Sequence, residues 1–261
     1  MGEKSGFADH FSGTAHGYAE FRPGYPDDLF DLLASLSPSR RLAWDCGTGS
    51  GQAAVPLAAR FEHVLATDAS PAQIAEAHQH AAIEYRVARA EDSGLPDASC
   101  DLVTVAQALH WFDVEAFHAE ATRVLVPDGV LAEWSYGPVA LEPPLDAPLR
   151  AFYVDVVGPY WPRERAHVDS GYKDLPFPFA RLPLPDLALK ADMTLGTLLG
   201  YIGTWSAVQA YRAVEGKDPL PDLERELSAV WGEPRRRQHV RWPLVMRVGR
   251  KPREAPPTPA A

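Results

Sequence analysis

The chain has 261 residues, of which 46% are hydrophobic and 23% charged, as expected for a globular protein with a substantial core. Its formal net charge of −10 argues against a general nucleic-acid-binding protein, because phosphate contacts need concentrated Lys and Arg. The sequence contains no apolar run of about 18 residues that would predict a membrane span. The two cysteines, Cys46 and Cys100, form no metal-binding pattern. We therefore expect a cytoplasmic protein that uses no metal.

The first predicted elements are a helix and a strand that leads into a glycine-rich loop. Residues 1–40 include an apolar helix over Asp27–Leu36, and the run from Leu42 then reaches Asp45 and glycines at positions 47, 49 and 51. Glycine lets the backbone turn tightly after a strand and approach a ligand closely. An acidic residue two positions before the first glycine would repel a phosphate and favour a cationic group. We therefore expect a ligand made of adenosine with an amino-acid tail rather than a dinucleotide.

A second acidic residue follows the next predicted strand, His63–Asp68. Ser70 and Gln73 have the spacing of a capping box, and Pro71 suits the first position of a helix. Asp68 therefore lies between a strand and a helix, about 20 residues after the glycine loop, which is the offset expected for a ribose-binding acid. We predict that its carboxylate accepts hydrogen bonds from the ribose hydroxyls of a nucleoside.

The third and fourth predicted strands also end near residues suited to a ligand site. Tyr85–Ala90 is followed by Glu91, and Cys100–Gln107 is followed by His110 and Trp111. In doubly wound sheets, ligands bind outside the carboxyl ends of the strands. We therefore expect His110 and Trp111 to face the ligands. A helix capped by Asp113 and a strand over Gly129–Trp134 complete this part of the chain.

The remaining residues change in character. Prolines and aromatic residues become frequent after residue 138, helices are predicted within Met193–Tyr211 and over 221–231, and Val240–Val248 is a terminal strand. We divide the chain into an N-terminal lid with the first helix (1–40), a Rossmann-like core (41–137), an acceptor-binding cap (138–235), a terminal strand of the core (236–250) and a proline-rich disordered tail (251–261).

Three segments resemble one family. Asp45-x-Gly-x-Gly-x-Gly51 resembles motif I of class I methyltransferases that use S-adenosylmethionine (SAM), and residues 101–112 resemble the small-molecule branch akin to trans-aconitate methyltransferase. Residues 18–26 resemble a Tyr-x-x-x-Arg-Pro-x-Tyr-Pro segment of that family. The resemblance implies an α/β fold with a Rossmann-like, mostly parallel seven-stranded sheet, helices on both faces and a helical acceptor cap. The alternation of strands and helices also favours such a sheet.

The resemblance also implies which residues form the site. Those expected to bind SAM and its product S-adenosylhomocysteine are Arg22, Asp45, Gly47, Thr48, Gly49, Gly51, Gln52, Asp68, Ala69, Ala90, Glu91 and Gln107. Those expected to bind the acceptor are Tyr18, Tyr25, His110 and Trp111. Tyr160 and Trp205 of the cap are added as candidates because small-molecule pockets are mostly apolar, and no motif of the family covers them. Arg22 would pair with the SAM carboxylate, as guanidinium groups do. Arg89 stands where many members have an aspartate, so the adenine contact is expected from the Ala90 backbone and Glu91.

The expected reaction is methyl transfer from SAM to an oxygen of a small molecule, either a carboxylate or a hydroxyl. His110 is the candidate general base for a hydroxyl, with Asp113 as a candidate to orient it, whereas a carboxylate needs no base. Two alternatives stay open: an N- or C-methyltransferase of a secondary metabolite, and a SAM-binding protein that transfers no methyl group. Asp45 and the glycine spacing disfavour a nicotinamide oxidoreductase. Neither nucleic acid nor a membrane is an expected partner, and both a monomer and a homodimer are compatible with the sequence.

Overall fold

The computed structural model describes residues 24–253, in which helices and strands alternate from Asp27 to Val87. The strands are β1 (Leu42–Cys46), β2 (His63–Asp68), β3 (Ile83–Val87), β4 (Cys100–Ala106), β5 (Leu125–Tyr136), β6 (Ala140–Leu141), β7 (Ala188–Met193) and β8 (Gln238–Arg250). The α-helices are α1 (Asp27–Leu36), α2 (Ala54–Ala58), α3 (Pro71–Ala75), α4 (Val114–Val124), α5 (Asp146–Ala151), α6 (Arg165–Asp169), α7 (Leu195–Gly203), α8 (Ser206–Glu215) and α9 (Leu220–Trp231). None of these helices combines the length and apolar character needed to cross a bilayer.

The strands form one mixed sheet with the order β3-β2-β1-β4-β5-β8-β6, and β7 also pairs with β8. The pairs β3–β2, β2–β1, β1–β4 and β4–β5 are parallel, whereas β5 and β8 are antiparallel. The predicted Rossmann-like α/β fold is therefore confirmed. The predicted number of seven strands is wrong, since the described residues contain eight. One of them, β6, has two residues and is too short to produce a periodic pattern in the sequence.

The sheet positions its loops through packing on both faces. Consecutive strand residues point to opposite faces, and Ala43 accordingly packs in the cluster that includes α1 and α2, while Trp44 packs in the cluster that includes α4. The central strands are buried on both faces, which explains why β1 and β4 are nearly continuous apolar runs. The carboxyl ends of β1, β2 and β4 thereby lie side by side at one edge of the sheet.

The start and stop signals in the sequence identify several helix ends correctly. Helix α1 has the predicted bounds, Gln73 N–H donates to Ser70 Oγ at the start of α3, and Ala116 N–H donates to Asp113 Oδ1 at the start of α4. The helical stretch predicted over Met193–Tyr211 is instead two helices, α7 and α8, which follow β7. Thr194 caps α7, because its Oγ1 accepts a hydrogen bond from Thr197 N–H.

The chain divides into two compact units. The first contains residues 141–162 and 191–240, and the second contains residues 24–140, 163–190 and 241–253. In the first unit, Trp205 is 5% exposed. Its ring lies among those of Phe152, Tyr153, Trp161 and Tyr201. The predicted cap, residues 138–235, thus contributes to both units, because residues 163–190 belong to the second.

Candidate functional site

The glycine loop follows β1 and has a backbone that other residues would strain. Gly47, Gly49 and Gly51 have φ values of +68°, +55° and +91°. A Cβ atom on Gly47 would lie 2.6 Å from Ala108 Cβ, and one on Gly51 would collide with the Tyr85 hydroxyl. At Gly49, the nearest atom to such a Cβ is Gln73 Oε1 at 3.6 Å. The loop is therefore held tightly at Gly47 and Gly51, whereas a Cβ at Gly49 would make only an ordinary van der Waals contact with the protein.

Asp45 is a buried carboxylate at the end of β1. It is 1% exposed, and it accepts hydrogen bonds of 2.7 Å from Thr48 Oγ1 and from Thr104 Oγ1. Burial raises its pKa to about 6, and the charge that adds to the rise is another carboxylate, that of Asp68. A cationic ligand group beside these two acids would relieve both the burial and the repulsion. The site thus fits the ammonium and sulfonium charges of the expected ligand.

Asp68 connects the glycine loop to the helix after β2. Its Oδ2 accepts a hydrogen bond of 2.9 Å from Gly49 N–H, and its Oδ1 accepts one of 2.9 Å from Ser70 N–H. Thr48 N–H donates to the Thr67 carbonyl at 2.9 Å, which fixes the same loop against β2. The structure therefore brings Asp45, the loop glycines and Asp68 together. A carboxylate has about four lone-pair positions, so Asp68 can accept further hydrogen bonds.

The other predicted cofactor residues lie in the loops after β1, β2 and β3. Thr48 and Ala90 are buried, Ala69 is half-buried, and Gln52 is exposed. Glu91 Oε1 accepts a hydrogen bond of 3.1 Å from Asp113 N–H, and its Oε2 accepts one of 3.0 Å from Arg89 Nε. Glu91 thus links the loop after β3 to the start of α4. Its predicted contact with adenine stays a prediction.

Gln107 follows β4 in an unusual conformation. Its φ is +59°, and its backbone N–H donates to the Trp134 carbonyl at 2.9 Å. Its side-chain Nε2 is buried, and no atom of residues 24–253 accepts a hydrogen bond from it. The same holds for Trp134 Nε1, and Ser135 Oγ is likewise buried with no hydrogen-bond partner in the described part of the chain. Buried donors without acceptors are costly, so this end of β4 and β5 is suited to a ligand that presents oxygen atoms.

His110 lies on the short helical turn Leu109–Trp111. Its Nδ1 lies 3.2 Å from the Tyr172 hydroxyl, and its ring centroid lies 4.8 Å from that of Trp111. Burial, with smaller contributions from the positive charges of Arg165 and His167, lowers the pKa of His110 to about 4. Burial also raises the pKa of Tyr172 well above its usual range. Both side chains are therefore neutral at neutral pH.

The predicted orientation of His110 by Asp113 is wrong. Asp113 instead caps α4, and Tyr172 is the hydrogen-bond partner of His110. The role of Tyr172 has no local sequence signal, because the two residues are 62 positions apart. A left-handed φ of +58° at Tyr172 is a structural feature without a sequence signal.

A buried ionic network holds Tyr172 in place. Arg247 is 1% exposed and donates hydrogen bonds of 2.8 Å from Nη1 to the carbonyls of Tyr172 and Leu175. Its Nε also donates to Glu133 Oε2 at 2.9 Å, and His118 Nε2 lies 2.5 Å from Glu133 Oε1. No local pattern in the sequence indicates this network. It joins β5, β8 and α4 to the segment that carries Tyr172.

The remaining predicted acceptor residues are distributed along the chain. Tyr25 is half-buried, and its ring meets that of Trp134 edge-on at 5.6 Å. Tyr160 and Trp205 belong to the first unit, whereas the glycine loop and His110 belong to the second. The Tyr160 hydroxyl donates a hydrogen bond of 2.5 Å to Glu215. Tyr18 and Arg22 lie outside the described residues.

Among residues 24–253, no group of three or more His, Cys, Asp or Glu side chains is arranged to hold a metal ion.

Comparisons with known proteins give consistent matches. A family model described as a methyltransferase domain matches residues 44–132. A Dictyostelium discoideum protein assigned as a methyltransferase is 36% identical over 225 residues, which are 85% of this chain and 86% of that protein. A solved structure from Anaeromyxobacter dehalogenans, assigned as a type II methyltransferase, is 46% identical with a TM-score of 0.86, covering 90% of this chain and 100% of that one. Methyltransferase cfoB of Aspergillus candidus is 31% identical over 67% of this chain and 63% of its own length.

Proposed function

Because the chain belongs to the family of SAM-dependent methyltransferases, we propose that it methylates an oxygen atom, a carboxylate or a hydroxyl, of a small-molecule acceptor. Family membership establishes the enzyme class and the cofactor. The proposal adds the acceptor class and places the enzyme near the branch of trans-aconitate methyltransferase, which residues 101–112 resemble. The net charge of −10 supports a small acceptor over nucleic acid.

The observation that carries the cofactor assignment is the pair of carboxylates of Asp45, which is buried, and Asp68, which is half-buried. Asp45 is buried beside the charge of Asp68, at a loop whose φ values require glycine. We assign Asp45 and Asp68 to the cationic and ribose parts of the ligand, and Gly49, where a Cβ would make only a van der Waals contact with the protein, to its closest backbone approach. SAM supplies a methyl group on a positively charged sulfur, so the main tasks of the protein are positioning and exclusion of water.

The acceptor is assigned to the region beyond the carboxyl ends of β4 and β5. His110 and Trp111 follow β4. Gln107, whose buried Nε2 is a donor that needs an oxygen, remains a proposed cofactor residue beside them. Tyr25, Tyr160 and Trp205 remain proposed acceptor residues. The active form is proposed to be either a monomer or a homodimer.

The proposal is tested by screening carboxylic acids, phenols, alcohols and amines for release of S-adenosylhomocysteine by the purified chain. We expect turnover with members of the oxygen group. Methyl esters are cleaved by hydroxide and methyl ethers are not, so alkaline treatment of the product identifies the methylated oxygen. Methylation of amines or carbon alone would contradict the proposal and favour the N- or C-methyltransferase alternative. SAM binding without turnover of any acceptor would favour a non-methylating SAM-binding protein.

A further inference from the structure

The hydrogen bond between His110 and Tyr172 restricts where the imidazole carries its hydrogen. The Tyr172 hydroxyl and His110 Nδ1 are 3.2 Å apart, and only one hydrogen atom can lie between them. Either the phenol donates to Nδ1, or Nδ1–H donates to the phenol oxygen. The first arrangement leaves Nε2 as a donor, and the second leaves it as a base.

The burial of Tyr172 favours the first arrangement. Tyr172 is 0% exposed, so its hydroxyl cannot donate to bulk water. Within the part of the chain that the structure describes, His110 Nδ1 is the partner recorded for this hydroxyl. If Nδ1–H donated instead, the phenolic hydrogen would be buried without an acceptor, which is costly. The phenol therefore donates to Nδ1, and His110 keeps its hydrogen on Nε2.

We propose that Tyr172 is a positioning residue that holds His110 as the Nε2–H tautomer, and that His110 binds the acceptor as a hydrogen-bond donor rather than as a base. A donor suits an acceptor that arrives ionised, so this inference narrows the proposed acceptors to carboxylates and rests on the proposed function. One carboxylate oxygen forms the O–CH3 bond with its lone pair, while the electrons of the S–CH3 bond return to sulfur. No proton is released in this step.

The surroundings of His110 are consistent with a neutral donor. Burial and the positive charges of Arg165 and His167 lower the pKa of its imidazole to about 4, against a smaller opposing effect of Glu164. The backbone of Tyr172 is held by Arg247, whose Nη1 donates to the Tyr172 carbonyl at 2.8 Å. Arg247 thus holds the backbone of Tyr172, while the Tyr172 hydroxyl is hydrogen-bonded to the imidazole. The imidazole remains uncharged across the neutral pH range.

The tautomer is measured directly by nitrogen NMR on protein labelled with ¹⁵N-histidine. The chain has nine histidines, and the spectrum of His110→Gln identifies the resonances of His110. We expect an unprotonated Nδ1 and a protonated Nε2 in the wild type at neutral pH, and a mixture of tautomers in Tyr172→Phe, which keeps the ring and removes the hydroxyl. A protonated Nδ1 in the wild type would overturn the inference. This measurement does not depend on methyl transfer.

The role in catalysis is measured with a carboxylic acid that the screen identifies as an acceptor. We expect kcat/KM to fall roughly 10- to 100-fold in His110→Ala, as for a lost hydrogen bond to a charged group, and to recover largely in His110→Gln, whose amide also donates. The pH profile should show no loss of rate that follows an imidazole titration, and such a loss would overturn the inference. If the Nε2–H tautomer is found and only hydroxyl acceptors react, the donor role fails while O-methylation stands.

Discussion

The backbone N–H of Gly49 donates a hydrogen bond of 2.9 Å to the carboxylate of Asp68. This contact joins the loop after β1 to the end of β2, although the two residues are 19 positions apart. The same carboxylate accepts a hydrogen bond from Ser70 N–H at the start of α3. Asp68 therefore shapes the glycine loop in addition to its proposed contact with ribose. Changes at Asp68 should consequently affect the loop and the cofactor together.

Asp45→Asn should change how the stability of the free protein depends on pH. The pKa of Asp45 rises from its ordinary value of 3.8 to about 6 in the folded state. The folded protein therefore binds a proton more tightly than the unfolded chain, and this contribution to stability is present below about pH 4 and is lost as the pH rises through about 6. A shift of about two pKa units corresponds to about 3 kcal/mol. Urea unfolding at a series of pH values measures this slope, which should be absent in Asp45→Asn.

The same variant should bind S-adenosylhomocysteine more weakly at neutral pH, because the negative charge that faces the cationic group is lost. Superimposable pH–stability curves for the wild type and Asp45→Asn would show that the buried carboxylate does not titrate as described.

Alanine substitutions at two loop glycines should separate folding from ligand binding. Both positions have positive φ, but a Cβ at Gly47 would lie 2.6 Å from Ala108 Cβ, whereas one at Gly49 has only Gln73 Oε1 nearby, at 3.6 Å. Gly47→Ala should therefore cost about 1–3 kcal/mol of stability or more. Gly49→Ala should cost less stability and lose more cofactor affinity.

Thermal unfolding and calorimetric titration with S-adenosylhomocysteine check both effects. Gly137→Ala is the control, since a Cβ there meets no atom within 4 Å. Equal stability losses at Gly47 and Gly49, with unchanged affinity in both, would contradict the assignment of Gly49 to the cofactor site.

The sequence predicts those parts of the site whose residues lie close together along the chain. Asp45, the glycines and Asp68 follow strand signals within a few residues, and Ser70 and Asp113 cap helices that begin at the next position. The contacts of Tyr172 and Arg247 could not be predicted. Tyr172 meets His110 across 62 positions, and Arg247 meets Glu133 across 114, so both contacts depend on how the strands and loops are assembled. No local sequence pattern indicates contacts between residues so far apart in the chain.

Arg247→Met should destabilise the protein strongly. The substitution leaves Glu133, which is 0% exposed, with a buried charge whose remaining side-chain partner within residues 24–253 is His118. Removing one member of a buried ion pair costs about 3–5 kcal/mol, whereas replacing both members by apolar residues is often nearly neutral. We therefore expect Glu133→Leu/Arg247→Met to be more stable than Arg247→Met alone. Urea unfolding measures both variants.

Arg241→Met is a matched control, because Arg241 lies on the same strand and is exposed. If Arg247→Met were no less stable than Arg241→Met, the buried network would not hold the Tyr172 segment as described.

His110→Ala should reduce turnover more than SAM affinity. His110 follows β4 and bonds to Tyr172, whereas the assigned cofactor contacts are centred on the loops after β1 and β2. Steady-state kinetics with an identified acceptor and calorimetry with SAM measure the two quantities separately. An unchanged turnover number in a variant that binds SAM fully would remove His110 from the acceptor site.

Calorimetric titration of the wild type and Asp68→Ala with S-adenosylhomocysteine, with NADH as the control ligand, tests the central claim most directly. We predict micromolar binding of S-adenosylhomocysteine to the wild type, no binding of NADH, and a loss of roughly 10- to 100-fold in affinity in folded Asp68→Ala, as for hydrogen bonds to a charged group. Asp68→Asn, which keeps one acceptor oxygen, should lie between the two. Native affinity in Asp68→Ala would contradict the assignment of this carboxylate to the cofactor.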